Sequence, residues 1–463
     1  MISDWFPPPL QPFQRLQVTD GLLMNAERWQ LAHRYHRQSH SFHYQSLYQS
    51  GIVYGLGVRV MVAPTEVRSQ YQDGRWLEIQ PGMAIDLHGN FIVVTEPISF
   101  RLASENFTPT PLPVYLTIRH VDPDSLTRKS VSPLVKETFR IDEKTTAPHA
   151  NEIELCRLLL PSGGKTVTLQ NAPDVFHPQI SQPNLLQRVL VRARPHGSLV
   201  LGRGEQTPDP DFQAFGDFLA SAVYQYPHLN GHLDSTPHRL HPDHPPTCDF
   251  LYVRNPSPWS ELEIGGLSRH LEAGKLLCVE LTQWDDDLSE SMVLYGELQR
   301  AIAEAEQDPS LTAVRHELAT EFQAIQHQIL AQLQVSYPVV ADLAAQFHTP
   351  VQAILSTAHP LRCEPFTFAL LPTIEGQPIF MAAGGGIVII LGDLTSAWRR
   401  DRTFPLGTAT LRETQELGIN LLHFAWRRQQ LMEWQQHFNV SVPPALIQDA
   451  INPLSASLEK ITE

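Results

Sequence analysis

Residues 248–282 read CDFLYVRNPSPWSELEIGGLSRHLEAGKLLCVELT. The two ends, CDFLYVRN and KLLCVELT, are short apolar runs that read as strands. Between them, SELEIGGLSRHLEAG is an amphipathic helix that Gly274 stops. Strand, helix, strand in that order is a βαβ unit, and its two strands must lie parallel in one sheet.

Outward from this unit, the pattern on the C-terminal side stays α/β. Residues 288–334 are nearly all helical, with a break at Asp308-Pro309. They read as a helical hairpin, inserted into or appended to the domain over about 288–348 and offering an amphipathic surface to a partner. PFTFALLPTI, QPIFMAAGGGIVIILGD and the helical TLRETQELGINLLHFAWRRQQLMEWQQ close the chain. On the N-terminal side, FQAFGDFLASAVYQY opens the α/β domain, which is therefore placed at 211–463. Residues 161–210 are rich in Pro, Gly and polar residues and read as a connector with one amphipathic piece, PNLLQRVLVRAR.

From Ile52 to Leu160 the texture differs. IVYGLGVRVMVAP, RWLEIQPGMAID, NFIVVTEPISFRL, VYLTIRHVD and NEIELCRLLLP are short alternating runs separated by turn residues. They predict an antiparallel β-sandwich, led by a helix that Asn25 caps and Gly51 stops. This helix and sandwich form a domain at 21–160, preceded by a Pro-rich arm at 1–20. The predicted fold class is multidomain α+β: an N-terminal helix plus antiparallel β-sandwich, then a flavodoxin-like α/β domain with a helical-hairpin insertion.

Composition narrows the function. The 463 residues carry 34 Lys plus Arg against 49 Asp plus Glu, a formal charge of −15, which argues against phosphate-neutralising nucleic-acid binding. The four cysteines (Cys156, Cys248, Cys278 and Cys363) are far apart and read as buried thiols of a reducing compartment. No basic-then-apolar leader is visible, and GIVIILG is too short to span a bilayer, so the expectation is a soluble, cytoplasmic protein without direct membrane insertion.

The chemistry-bearing patterns each have a plainer reading. A glutamine amidotransferase needs its Cys on a strand-to-helix elbow, and none of the four cysteines has that setting; a serine hydrolase elbow is also absent. The 384–386 glycines lack a phosphate-loop context and read as a turn feeding IVIIL. Asp285, Asp286 and Asp287 follow a strand, where carboxylates can hold Mg²⁺, but the helix beginning beside them makes the helix dipole the simpler partner. In 227–248 the sequence places His228, His232, His238, His241, His244, Asp234, Asp243 and Cys248. His238, His241 and His244 with Asp243 are the metal candidates there, set against a solvated Pro-rich loop or a docking loop. The expectation is no metal and no cofactor.

HRYHRQSHSFH, residues 33–43, places His33, His36, His40 and His43 within an arc of about 80° on a helix. Beside them runs a second stripe of Trp29, Leu31, Tyr35, Phe42 and Leu47. An open helix face is an incomplete metal site. The plainer reading has His36 and His43 hydrogen-bonding backbone or carboxylates while packing the helix on the β-domain; the functional alternative has His33 and His40 facing a neighbour in a contact that weakens below about pH 6.

Two resemblances follow from these residues. GLLMNAERWQLAHRYHRQSHSFHYQSLYQSGIVYGLGVRV (21–60), IQPGMAIDLHGNFIVV and NEIELCRLLL resemble a helix-plus-β module that recurs in phage tails and contractile injection systems. This N-terminal half is more distantly similar to the baseplate wedge-linking subunit of type VI secretion. His36 and His43 fall on histidine positions of that module. CDFLYVRN, GGLSRHLEAGKLLCVE, His359-Pro360-Leu361, LGDL and LGINLLHFAWRR, within 211–440, resemble an uncharacterised domain family related to class I glutamine amidotransferases. The resemblances imply a non-catalytic assembly component near the baseplate of a contractile tail-like particle, a homo- or hetero-oligomer with other particle subunits. Trp29, Tyr35, His36 and His43 are its expected interaction residues. The alternative is a metal-dependent or amidotransferase-like hydrolase using His359 or the 228–244 histidines.

Overall fold

The structure, a computed structural model, describes residues 13–122, 137–162, 167–306, 312–346, 351–354, 356–400 and 406–437. The Asp308-Pro309 break and most of the Pro-rich arm lie outside them. The chain divides into two compact units at Arg194/Pro195.

The first unit is an N-terminal helix followed by antiparallel sheets. Helix α1 (Ala26–Leu47) starts where Asn25 accepts a hydrogen bond from the Arg28 N–H at 2.8 Å. It ends at an extended Tyr48, three residues short of Gly51. Three three-stranded sheets follow. The first pairs β1 (Gly51–Gly55), β4 (Gly82–Ile85) and β5 (Phe91–Val94). The second pairs β2 (Val58–Val60), β3 (Trp76–Ile79) and β6 (Ile98–Arg101). The third pairs β8 (Thr138–Lys144), β7 (Leu112–Val121) and β9 (Ile153–Leu160). Alternate residues of all three, among them Ile52, Leu77, Ile92, Leu116 and Leu155, meet in one core. This is the inside–outside alternation that the short runs encode.

The second unit is a mixed sheet with helices on both faces. Its first elements are β10 (Gly197–Gly204), α2 (Asp209–Gln225), β11 (Leu229–His238), β12 (Phe250–Arg254), α3 (Glu261–Glu272) and β13 (Leu276–Leu281). Then come α4 (Asp286–Glu306), α5 (Thr312–Ser336), α6 (Pro338–Gln346), β14 (Gln352–Ala353) and α7 (Pro360–Cys363). A small hairpin, β15 (Thr373–Ile374) and β16 (Gln377–Pro378), precedes β17 (Phe380–Gly384), β18 (Ile387–Leu391) and α8 (Thr408–His437). The sheet order is β11-β10-β12-β13-β18-β17-β14, with β11 through β18 parallel and the last two pairings antiparallel. Counted along the chain, the five parallel strands run in the flavodoxin-like order 2-1-3-4-5.

Side chains on β12, β13 and β18 alternate between two cores. Phe250, Tyr252, Leu276, Cys278, Val388 and Ile390 face α2 and α8; Leu251, Val253, Leu277, Val279, Ile387 and Ile389 face α3, α4 and α5. The Gly385-Gly386 turn, with φ of 58° and 85°, joins β17 to β18 as a tight hairpin. No described helix is long and apolar enough to cross a membrane.

Three expectations need correction. Residues 161–210 are not a connector. Val167 and Leu169 sit in the β-domain core, and 184–194 hydrogen-bonds along β9, β1 and the end of α1. PNLLQRVLVRAR runs as irregular backbone along the free edge of β1, which takes its N–H and C=O groups: Ile52 donates to Val189 O and Val191 to Ile52 O. The α/β unit starts before Asp211, since β10 is an inner strand between β11 and β12 and α2 begins at Asp209. The helical hairpin is not a free-standing amphipathic surface either: most of its apolar residues face the sheet, while Val293, Leu294 and Val335 stay exposed. Leu288, Met292, Tyr295, Ile325, Ile329 and Leu333 are spent covering the sheet.

His270, on α3, is 1% exposed, with Nε2 donating to Leu276 O at 3.2 Å. Burial pushes its pKa down to about 4 from 6.5. A depressed folded value means stability present above pH 6.5 and lost as pH falls toward 4. Urea unfolding of the wild type is expected to show a loss of about 2 kcal/mol from this group between pH 7 and pH 5. A His270→Gln variant should lack that component.

Candidate functional site

Helix α1 lies on the β4–β5 hairpin along one narrow edge. Gly89 in the hairpin turn has φ of +75°, and a Cβ there would meet the Ser41 carbonyl oxygen at 2.3 Å. Asp86 shapes the turn by accepting from the backbone N–H groups of His88 and Asn90 at 2.9 and 2.8 Å. On the helix, Tyr44 packs edge-on against Phe91 at 4.7 Å and Gln45 donates to His88 O. Further along, Arg37 pairs with Asp122 at 3.3 Å, an exposed pair of the kind worth at most about 1 kcal/mol.

The histidines take no part in this seam. His33, His36, His40 and His43 are all exposed, which corrects the expectation that His36 and His43 pack the helix on the domain. The seam belongs to Ser41, Tyr44 and Gln45, whose backbone carbonyl, ring and amide meet the Gly89 turn, Phe91 and His88 O in turn. His33, His36 and His40 line one wall of an open groove of about 530 Å³, with Arg37 beside them. The other wall carries His120 of β7, whose Nε2 lies 3.2 Å from the Glu137 carboxylate. His43 stands outside the groove, against Tyr44 at 5.6 Å. Trp29 is 59% exposed, touching His33 edge-on at 5.1 Å. Tyr35 is half-buried under Phe13, which also reaches Phe42 at 5.3 Å. Sequence reasoning missed His120 and Glu137, which are distant in the chain from the helix.

The second histidine cluster is dispersed. His238 ends β11 with Nε2 3.2 Å from Asp234, in ion-pair range but outside hydrogen-bond geometry. His241 Nδ1 accepts from the Asp243 backbone N–H at 3.2 Å and lies 3.8 Å from its carboxylate. The His244 ring is 6.2 Å from that of His241. Among the described residues, no group of three or more His, Cys, Asp or Glu side chains could hold a metal ion. His359 caps α7, its Nδ1 accepting from Leu361 N–H at 3.2 Å. Asp285 caps α4 by accepting from Leu288 N–H at 2.9 Å, the structural role the helix start implied. Cys156, Cys248 and Cys278 are buried, and burial pushes the first two thiols up to about 12. Cys363 departs from the expectation of four core thiols: it is partly exposed, with Sγ on Ala358 O at 3.4 Å.

In a flavodoxin-like sheet, ligands bind outside the strands' carboxyl ends where the strand order reverses, here between β10 and β12. Arg254 spans that point, pairing with Asp211 at 3.1 Å and Asp393 at 2.9 Å. Beneath it Glu280 is fully buried. Its carboxylate accepts from the Tyr252 hydroxyl, from Thr395 Oγ1 at 2.6 Å and from the Thr395 N–H at 3.0 Å. Burial raises the Glu280 pKa, while Thr395 and Tyr252 pull it back. The arrangement ties the ends of β12 and β13 to the 395–398 turn.

No protein-family model matches the chain, and no curated protein matches it in sequence.

Two substitutions probe these arrangements. Gly89→Ala forces a left-handed conformation and a clash with α1, and is expected to cost about 1–2 kcal/mol in thermal or urea unfolding. Tyr252→Phe removes one donor from a buried carboxyl group and should cost about 1–3 kcal/mol by the same measurement.

Proposed function

We propose that this chain is a non-catalytic assembly component of a contractile, phage-tail-like injection machine, acting in the cytoplasm at or near the baseplate. The observation that carries the reading is α1 itself. It runs for 22 residues without one buried side chain, yet bears Trp29, Leu31, Tyr35, Phe42 and Leu47. A helix of this length gains most of its stability from a packed face, so the exposed Trp29 and Leu47 and the only half-covered Leu31, Tyr35 and Phe42 ask for a partner surface. Position supports this: the stripe lies within the 21–60 stretch that resembles the tail module, and Phe13 already packs onto its Tyr35–Phe42 portion.

On this reading α1 and the histidine groove meet another subunit of the particle, and the α/β unit is a docking module. Trp29 and Tyr35 supply large apolar contact area at low conformational cost, as interface anchors do. His36, on the groove wall, and His43, outside it, are both exposed and contribute beside them.

The test is reconstitution with sheath, tube and baseplate subunits of a contractile particle, followed by sedimentation. The wild type should co-sediment, and Trp29→Glu should weaken that association by at least about tenfold while leaving the circular dichroism unchanged. A strictly monomeric chain that joins none of these subunits would overturn the reading.

A further inference from the structure

The loops leaving the carboxyl ends of β12 and β13 enclose a cleft that none of the features above uses. Trp259 forms part of its lining, only 8% exposed and part of the sheet's core. Trp284 and Tyr337 also line it, both half-buried and packed against that core, so these aromatic walls are preformed. Pro258 lies on the lining too, as do Asp285 and Ser336, whose Oγ is 3.3 Å from the Asp285 carboxylate. The cavity is about 290 Å³, near the roughly 300 Å³ lower limit of small-molecule pockets and suited to a few side chains of an extended segment.

Trp259, Trp284 and Tyr337 each bring a hydrogen-bond donor, two indole N–H groups and a hydroxyl, to the lining of the cleft. Three donors set among aromatic rings match one kind of backbone well. A polyproline II segment makes no internal hydrogen bonds, so its carbonyls are free acceptors, and its prolyl rings pack flat on aromatic walls. Asp285 adds a negative charge to the lining, suited to a basic flank.

The sequence has the composition of such a segment. FPPPLQPFQR, residues 6–15, has Pro7, Pro8, Pro9 and Pro12 followed by Arg15. We propose that the Trp259–Trp284–Tyr337 cleft binds the Pro-rich arm of a second copy of this chain, with Arg15 of that copy meeting Asp285. The claim stands on the cleft and the arm, independently of the role of α1.

The experiment uses the full-length chain with Pro7, Pro8, Pro9 and Pro12 all changed to Ala, so that its own arm does not compete. A fluorescein-labelled peptide of residues 6–17 is titrated in and followed by anisotropy. Saturable binding is expected, lost when the peptide's four prolines become Ala and weakened at least about tenfold by Trp284→Ala. Tyr337→Phe, which keeps the ring, should weaken it less but measurably. Asp285→Asn retains the α4 cap and should cost roughly threefold, a cost that vanishes with an Arg15→Gln peptide. In sedimentation velocity the wild type should self-associate with concentration, and excess peptide should reverse it. Absent binding, binding indifferent to the prolines, or binding unaffected by all three cleft substitutions would overturn the proposal. Peptide binding by a wild type that never self-associates would overturn the second copy as occupant.

Discussion

The parallel pairing of β10, β12, β13 and β18 is the constraint on which the larger unit depends. These strands have neighbours on both sides and helices on both faces, so every inner position must be apolar or fully hydrogen-bonded. That requirement explains why the helical hairpin turns most of its apolar residues to the sheet. It explains why Glu280 sits among three donors, and why His270 stays neutral. It leaves the loops at the strands' carboxyl ends to carry the polar and concave features, with Arg254 and its two aspartates spanning one stretch and the aromatic cleft opening in another.

The β-domain solves a different problem. Three small sheets share one core, and the chain completes their edges with irregular backbone from 184–194 rather than with further strands. Helix α1 is the exception within it. A glycine turn, one aromatic pair and a few hydrogen bonds hold it, far less than a helix of its length buries in an ordinary domain. Its apolar stripe is therefore the surface with most to gain from association. The histidine groove is a consequence of the same narrow seam: because Ser41, Tyr44 and Gln45 take the contact, the adjacent face stands off from β7 and β8.

Legibility in the sequence followed the range of the interactions. The βαβ unit at 248–282 was readable because strand, helix and stop are each encoded within a few residues. The Gly-Gly hairpin, the Asn25 cap and the Asp285 cap were readable for the same reason. Strand β10 was not: GSLVLGRG is short and interrupted by glycines, and only flanking strands make it an inner strand. The place of PNLLQRVLVRAR was not readable either, because only the unpaired edge of β1 gives its backbone partners. The histidine stripe was visible as a stripe. Which residues of α1 touched the domain depended on a turn more than forty residues away.

Sequence alone determined the two-part organisation, the helix-then-antiparallel-strands order of the first unit, the parallel sheet of the second and the location of most caps and turns. These rest on local periodicity and on residues whose backbone preferences act at once. Tertiary structure alone decided where one unit ends and the next begins, which face of α1 is seam and which is groove, and the fate of each ionisable group. It also decided that three aromatic side chains from three separate segments would meet in one cleft. Burial and hydrogen-bond satisfaction are properties of neighbours brought from afar, and no window of sequence contains them.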